Sequence, residues 1–198
     1  MRRDIILASA SVRRAEILSS CGIKFRVVPS GAEEDLEQHR PVYETVQINA
    51  LRKAETVASG EELSIVVAAD TLVVYGGKVI GKPGSEEDAR MLLKNFSGGE
   101  VEVCTGLCVI DSLKGAKAVG FEKSSLNVAS LTDREVDRYF RLLGPYDKAG
   151  GFSIEGVGSI IFDNIRGSYF NILGLPMMKL KELFSEAGLD LLDYVEEA

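Results

Sequence analysis

Ser64-Ile65-Val66-Val67-Ala68-Ala69-Asp70-Thr71 is the stretch whose reading decides the fold. Its apolar run, rich in β-branched residues, reads as a strand buried on both faces, the pattern of an α/β sheet. The run stops at an aspartate, so the strand is expected to end there with a carboxylate at its tip. A buried carboxylate is unfavourable unless a cation, a metal or backbone donors meet it. In open α/β sheets the carboxyl ends of strands are also where ligands sit. Asp70 is therefore the first candidate for chemistry, set against the plainer reading of an aspartate that starts a turn.

Upstream, residues 4–8 read as a short strand that runs through Ser9-Ala10-Ser11 into a helix beginning Val12-Arg13-Arg14. Ser11 is placed to cap that helix, whose first turn offers unpaired N–H groups and the positive end of a dipole. Two arginines there oppose the dipole. That arrangement suits a phosphate seat built from guanidiniums and backbone donors, or else two solvated side chains. Residues 25–28 read as a second strand, followed by an acidic loop with Glu33, Glu34, Asp35 and Glu37. Such a loop is either solvated or a source of oxygen ligands for Mg²⁺. From Val42 to about Ser59 the positions Val42, Val46, Ala50, Ala54 and Val57 recur at helical spacing. Lys53 lies at the margin of that stripe, where it either snorkels outward or reaches into a cleft.

Downstream, Gly76-Gly77 between two β-rich runs predicts a tight hairpin. Gly76 to Lys82 imitates a phosphate-binding G-x-x-x-x-G-K loop, but Pro83 stands where that loop needs Ser or Thr. The hairpin is expected to return Lys82 towards Asp70. Helices follow from Ser85 and from the capping-box signature Thr132-Asp133-Arg134-Glu135, with paired strands at about 100–111 and 116–129 between them. Residues 144–176 are glycine-rich with short β-like pieces, and Asp147, Lys148 and Glu155 are their best candidates to face a pocket. A last helix opens at Pro176, and the tail beyond Gly188 is expected to dock loosely.

Composition narrows the function classes. The chain has 198 residues, 45 % hydrophobic and 27 % charged, with a net charge of −7 and three cysteines. That charge argues against nucleic acid as the main partner, although a local basic cluster could hold one small polyanion. No apolar run is long enough for a membrane span or a signal-peptide core, which points to a cytoplasmic protein. Cys104 and Cys108, with a single histidine (His39) in the chain, read as packing thiols and not as a zinc site.

In order along the chain, Ser9-x-Ser11-x-Arg13-Arg14, Lys53, Ala69-Asp70-Thr71, Gly81-Lys82-Pro83, Thr105-Gly106, Asp147-Lys148-Ala149-Gly150, Glu155-Gly156, Gly167-Ser168 and Gly174-Leu175-Pro176 resemble the Maf family of nucleoside triphosphate pyrophosphatases. The resemblance runs from about residue 4 to 185. It implies an ITPase-like α/β fold over residues 1–198, an elongated mixed sheet with flanking helices and a cleft between two lobes, commonly as a homodimer. The activity it implies is hydrolysis of a nucleoside triphosphate to a monophosphate and pyrophosphate. Carried over to these positions, Asp70, Lys53 and Lys82 would be catalytic, and Asp70 and Glu34 would hold Mg²⁺ or Mn²⁺. Ser11, Arg13, Arg14, Thr71 and Glu155 would bind and select the substrate.

Arg13 and Thr71 resemble the branch acting on dTTP and UTP. Glu155 stands where that branch usually has Gln and the 7-methyl-GTP branch has Glu. Val12, Val101 and Phe152 also depart from the commonest family residues. The alternatives are the same reaction on another base, including a modified pyrimidine or 7-methyl-GTP, or a nucleotide-binding regulator of cell division.

Overall fold

In the computed structural model, which describes residues 3–35, 40–143 and 149–196, the deciding strand is longer than its sequence suggests. It runs from Ser64 to Tyr75 (β3), so Asp70 lies inside it and not at its tip. The β-branched and aromatic residues after Asp70 carry the extended backbone on. What stops short of Asp70 is the parallel ladder. β1 (Asp4–Leu7) pairs with β3 as far as Leu7↔Val67, and the Ala8 N–H then donates to the Val67 carbonyl at 2.8 Å. Asp70 thus lies beyond the carboxyl end of a parallel pair, the position that the ligand rule for α/β sheets requires.

The sheet has seven strands in the order β2 (Phe25–Val27), β1, β3, β5 (Glu100–Asp111), β6 (Ala116–Val128) and β7 (Phe162–Arg166), with β4 (Lys78–Ile80) paired to β3, and it mixes parallel and antiparallel neighbours. The chain divides into two units. The first comprises Met1–Thr71, Thr105–Glu122 and Leu173–Ala198, and the second Leu72–Cys104 and Lys123–Ile172.

In the first unit β1 pairs in parallel with β2 (Phe25–Val27) as well as with β3. Helix α1 (Val12–Ser20) is capped by Ser11, whose hydroxyl accepts from the Arg14 N–H. Helix α2 (Val42–Ala58) lays Ala50, Ala54 and Val57 against Ile6 and Ala8 of the β1 segment, Val66 and Ala68 of β3, and Cys108 and Ile110 of β5 (Glu100–Asp111). The small residues bring the helix close to the sheet. It is so close that a Cβ at Gly106 would collide with the Val46 carbonyl. Helix α6 (Met177–Glu186) opens after Pro176 as expected, but the tail is not loose. Leu191 and Tyr194 are buried, the Tyr194 and Phe184 rings meet at 5.9 Å, and Glu196 donates to the Gly22 carbonyl at 2.8 Å. A short turn that buries two large side chains and adds backbone bonds explains the difference.

In the second unit the Gly76-Gly77 hairpin joins β3 to β4 (Lys78–Ile80), and both glycines have positive φ, as a two-residue turn of this kind needs. Helices α3 (Glu86–Phe96) and α4 (Asp133–Leu143) start at Ser85 and at a reciprocal Thr132–Glu135 box. β6 (Ala116–Val128) begins in the first unit, and its later residues pair antiparallel with β7 (Phe162–Arg166). Tyr75, Phe96, Phe152 and Phe162 form a chain of ring contacts at 4.9, 6.3 and 5.4 Å. Between residues 149 and 172 β7 is the one strand. The rest folds as two 3₁₀ turns and the short helix α5 (Tyr169–Ile172). Glycine is required here, because a Cβ at Gly158 would strike the Ser153 carbonyl.

The cysteines behave as packing groups. Burial pushes the Cys104 thiol up to about 11 and the Cys108 thiol up to about 12, so both stay protonated. Among the described residues no helix is long and apolar enough to cross a membrane.

The seat of α2 on β5 is open to test. Gly106→Ala should force backbone apart and lower the unfolding free energy by about 3 kcal/mol in urea denaturation. A loss below about 0.5 kcal/mol would show that the helix is free to move away.

Candidate active site

Asn49 and Lys53 lie four residues apart on α2 and so share one face. Both meet Asp70. The Lys53 Nζ donates to Asp70 Oδ1 at 2.7 Å and Asn49 Nδ2 donates to Asp70 Oδ2 at 2.9 Å. Asp70 is 3 % exposed, Lys53 9 % and Asn49 1 %. Removing such a pair of ions from water costs several kcal/mol per ion, and a well-packed apolar pair of the same volume is often as stable or more so. Stability alone therefore does not explain a lysine and an aspartate here. A carboxylate offers about four acceptor positions, so the two bonds from α2 orient Asp70 without exhausting it.

The acidic loop comes to the same place. Lys53 Nζ also donates to Glu34 Oε1 at 2.6 Å, so one ammonium joins two carboxylates. Glu34 itself is largely exposed, so this second contact adds little to stability. The loop backbone is held by Asn49, which accepts from the Asp35 N–H at 2.7 Å and donates to the Asp35 carbonyl at 3.0 Å. Arg40 donates to the Asp35 carboxylate at 2.9 Å and Arg52 to the Glu33 carbonyl at 3.2 Å. Glu37 and His39 lie outside the described residues.

The sequence motifs do not single out Asn49. The available signal was a polar residue on the core side of α2, four positions before Lys53.

As a donor set the site is all oxygen. Among the described residues no group of three or more His, Cys, Asp and Glu side chains could hold a metal ion. Asp70 and Glu34 supply two carboxylates. That fits a hard divalent cation such as Mg²⁺, which takes one or two carboxylates and fills its shell with waters and phosphate oxygens.

Arg14 is used differently from a simple anion seat. Its Nε donates to the Gly174 carbonyl at 2.8 Å, Nη1 to the Ala69 carbonyl at 2.9 Å and to Ser9 Oγ at 3.1 Å, and Nη2 to Thr71 Oγ1 at 3.0 Å. Burial pulls this guanidinium below its ordinary pKa, with Asp70 and then Glu34 opposing the shift. The guanidinium braces the residues on either side of Asp70, which answers the apparent misplacement of a cation in the first turn of α1. Thr71 also shares a 3.0 Å hydroxyl contact with the buried Thr105. Arg13 lies half-buried in the same first turn.

Lys82 and Glu155 belong to the second unit. Lys82 is exposed in the loop after β4, next to Gly81, whose carbonyl accepts from the Gly150 N–H at 3.1 Å. Glu155 lines a depression of about 640 Å³ with Ser159, Phe162, Asp163, Asn164 and Tyr169 among its neighbours. Asp147 and Lys148 lie outside the described residues.

The brace makes a direct prediction. Arg14→Lys keeps the charge but cannot reach three elements at once, so unfolding free energy should fall by about 2 kcal/mol. Unchanged denaturant midpoints would mean that charge alone matters at this position.

The chain matches the family model for Maf-like protein over residues 4–187. A dTTP/UTP pyrophosphatase of Desulforamulus reducens is 41 % identical over 189 residues, covering 96 % of this chain and 99 % of the relative. One from Caldicellulosiruptor saccharolyticus is 38 % identical over 194 residues, covering 96 % and 98 %. One from Bacillus cereus is 37 % identical over 188 residues, covering 95 % and 97 %. Among solved structures, the Staphylococcus aureus Ham1 protein aligns with 64 % of this chain and 72 % of its own, at 17 % identity and a TM-score of 0.44. The match over residues 4–187, together with relatives 37–41 % identical over nearly their whole length, shows that the chain belongs to the Maf-like protein family.

Proposed function

We propose that this chain hydrolyses dTTP and UTP to the nucleoside monophosphate and pyrophosphate. The observation that carries the reading is a nearly buried aspartate held by an ammonium and an amide, with a second carboxylate on the same ammonium. The relatives named dTTP/UTP pyrophosphatase supply the substrate.

A triphosphate carries about four negative charges, so cations must meet it before a nucleophile approaches. Lys53 and Lys82 are the fixed charges in this reading, with Arg13 at the first turn of α1. Arg14 and Ser11 shape the backbone beside them. Asp70 accepts the proton of the attacking water as its oxygen bonds to phosphorus, the bridging P–O bond breaks, and pyrophosphate leaves. Lys53 and Asn49 hold the Asp70 carboxylate in place for that step. Asp70 and Glu34 would hold a divalent cation, Mg²⁺ or Mn²⁺, which supplies charge neutralisation and Lewis-acid polarisation at the phosphates. No Ser-His or Cys-His pair is present among the described site residues, and water attack needs none.

Thr71 and Glu155 are the base-selecting residues in this reading. An ionised glutamate only accepts hydrogen bonds, whereas glutamine also donates, so Glu155 favours a ring N–H over a carbonyl. The homodimer and a cytoplasmic setting, which suits two buried and protonated thiols, belong to the same proposal.

A panel of triphosphates with Mg²⁺ or Mn²⁺, assayed for pyrophosphate, tests the reading. Release should be fastest with dTTP and UTP, and no release from any triphosphate would remove the hydrolase. Asp70→Asn keeps the side-chain volume and one oxygen that can accept from Lys53, so it should retain the fold and lose turnover by about 10³-fold. Near-normal rates would show that Asp70 is not the base. Glu155→Gln should change the ratio of rates between bases by about tenfold, and an unchanged ratio would mean that this position does not read the base.

A further inference from the structure

We infer that Asn49 is a positioning residue of the hydrolytic site, setting both the orientation of Asp70 and the place of Glu34. The inference rests on the hydrolase reading above and adds a residue that neither the motif set nor the sequence pattern contains. Asparagine is a poor choice for the interior of a helix, and a buried carboxamide is unfavourable unless its polar atoms find partners. At 1 % exposure Asn49 meets that demand through three bonds. Its Oδ1 accepts from the Asp35 N–H, and its two N–H groups go to the Asp35 carbonyl and to Asp70 Oδ2. The network fixes which end of the amide is which. An N–H can only donate, so the atom facing Asp35 N is oxygen, and the atom facing a carbonyl and a carboxylate is nitrogen.

One planar group therefore ties a strand carboxylate to a loop backbone. From one side Lys53 takes Oδ1 of Asp70, and from the other Asn49 takes Oδ2, so rotation of the carboxylate is blocked. Because Glu34 directly precedes Asp35, anchoring Asp35 on both backbone atoms also holds Glu34 where Lys53 meets it. No other residue type of this size does all three tasks. Leucine has the volume without the donors, and aspartate has the acceptor without the donors.

Two variants separate positioning from mere anchoring. Asn49→Leu removes every bond. Asn49→Asp keeps an acceptor for the Asp35 N–H but loses both donors and with them the hold on Asp70. With dTTP and Mn²⁺, both variants should lose about 30- to 100-fold in kcat while KM stays within about threefold. Amide exchange should show protection of Asp35 lost in Asn49→Leu and retained in Asn49→Asp, with α2 and β3 protected in both. A kcat within about twofold of wild type in Asn49→Asp overturns the inference, as does a loss confined to KM. If Asn49→Leu does not fold, Asn49→Asp decides by the same thresholds. Wild-type protein inert towards every triphosphate would instead sink the hydrolase reading, and the exchange arm would still report on the loop.

Discussion

The structure around the site depends on one buried ion pair, Lys53 with Asp70. An aspartate inside a strand and a lysine inside a helix are each poor core residues, and only their meeting makes either tolerable. For them to meet, α2 must lie close to the sheet. Gly106 removes the side chain that would hold the helix off, and Ala50 and Ala54 keep the contact thin. A packing constraint thus sets an electrostatic distance. Asn49 then extends the pair into a network by joining the same carboxylate to the acidic loop.

A second layer fixes the strand that bears the aspartate. Arg14 reaches the Ala69 carbonyl and the Thr71 hydroxyl, the residues on either side of Asp70, and also the Gly174 carbonyl. With neighbours on both sides tethered, the Asp70 side chain projects from backbone that has little room to shift. Under the proposed hydrolysis, that backbone holds still the carboxylate that is to receive a proton. Of the conspicuous pair of arginines, Arg14 is thus turned towards the protein.

Features set by local chemistry were legible in the sequence. The Ser11 cap, the Gly76-Gly77 hairpin, the Thr132–Glu135 box and the stripe on α2 each depend on residues within a few positions of one another. The site residues Asp70 and Lys53 were legible as anomalies, charges where an apolar pattern left no room for them. β3 runs past the end that its apolar run suggests because Asp70 interrupts hydrophobicity without interrupting extended backbone. Arg14 does not read as a brace, since three of its four partners lie 55, 57 and 160 residues away. Asn49 was missed for a related reason. A lone polar residue on the core side of a helix is a faint signal, and its meaning appears only when loop and strand converge on it.

Crystallography with Mn²⁺ and a non-hydrolysable α,β-imido analogue of dTTP tests most directly the proposal that nucleotide chemistry takes place at Asp70, Lys53 and Glu34. Anomalous scattering should place Mn²⁺ on the Asp70 and Glu34 carboxylates, with analogue phosphate oxygens in contact with Lys53. A fully ordered analogue whose metal and phosphates touch none of these three residues would contradict it.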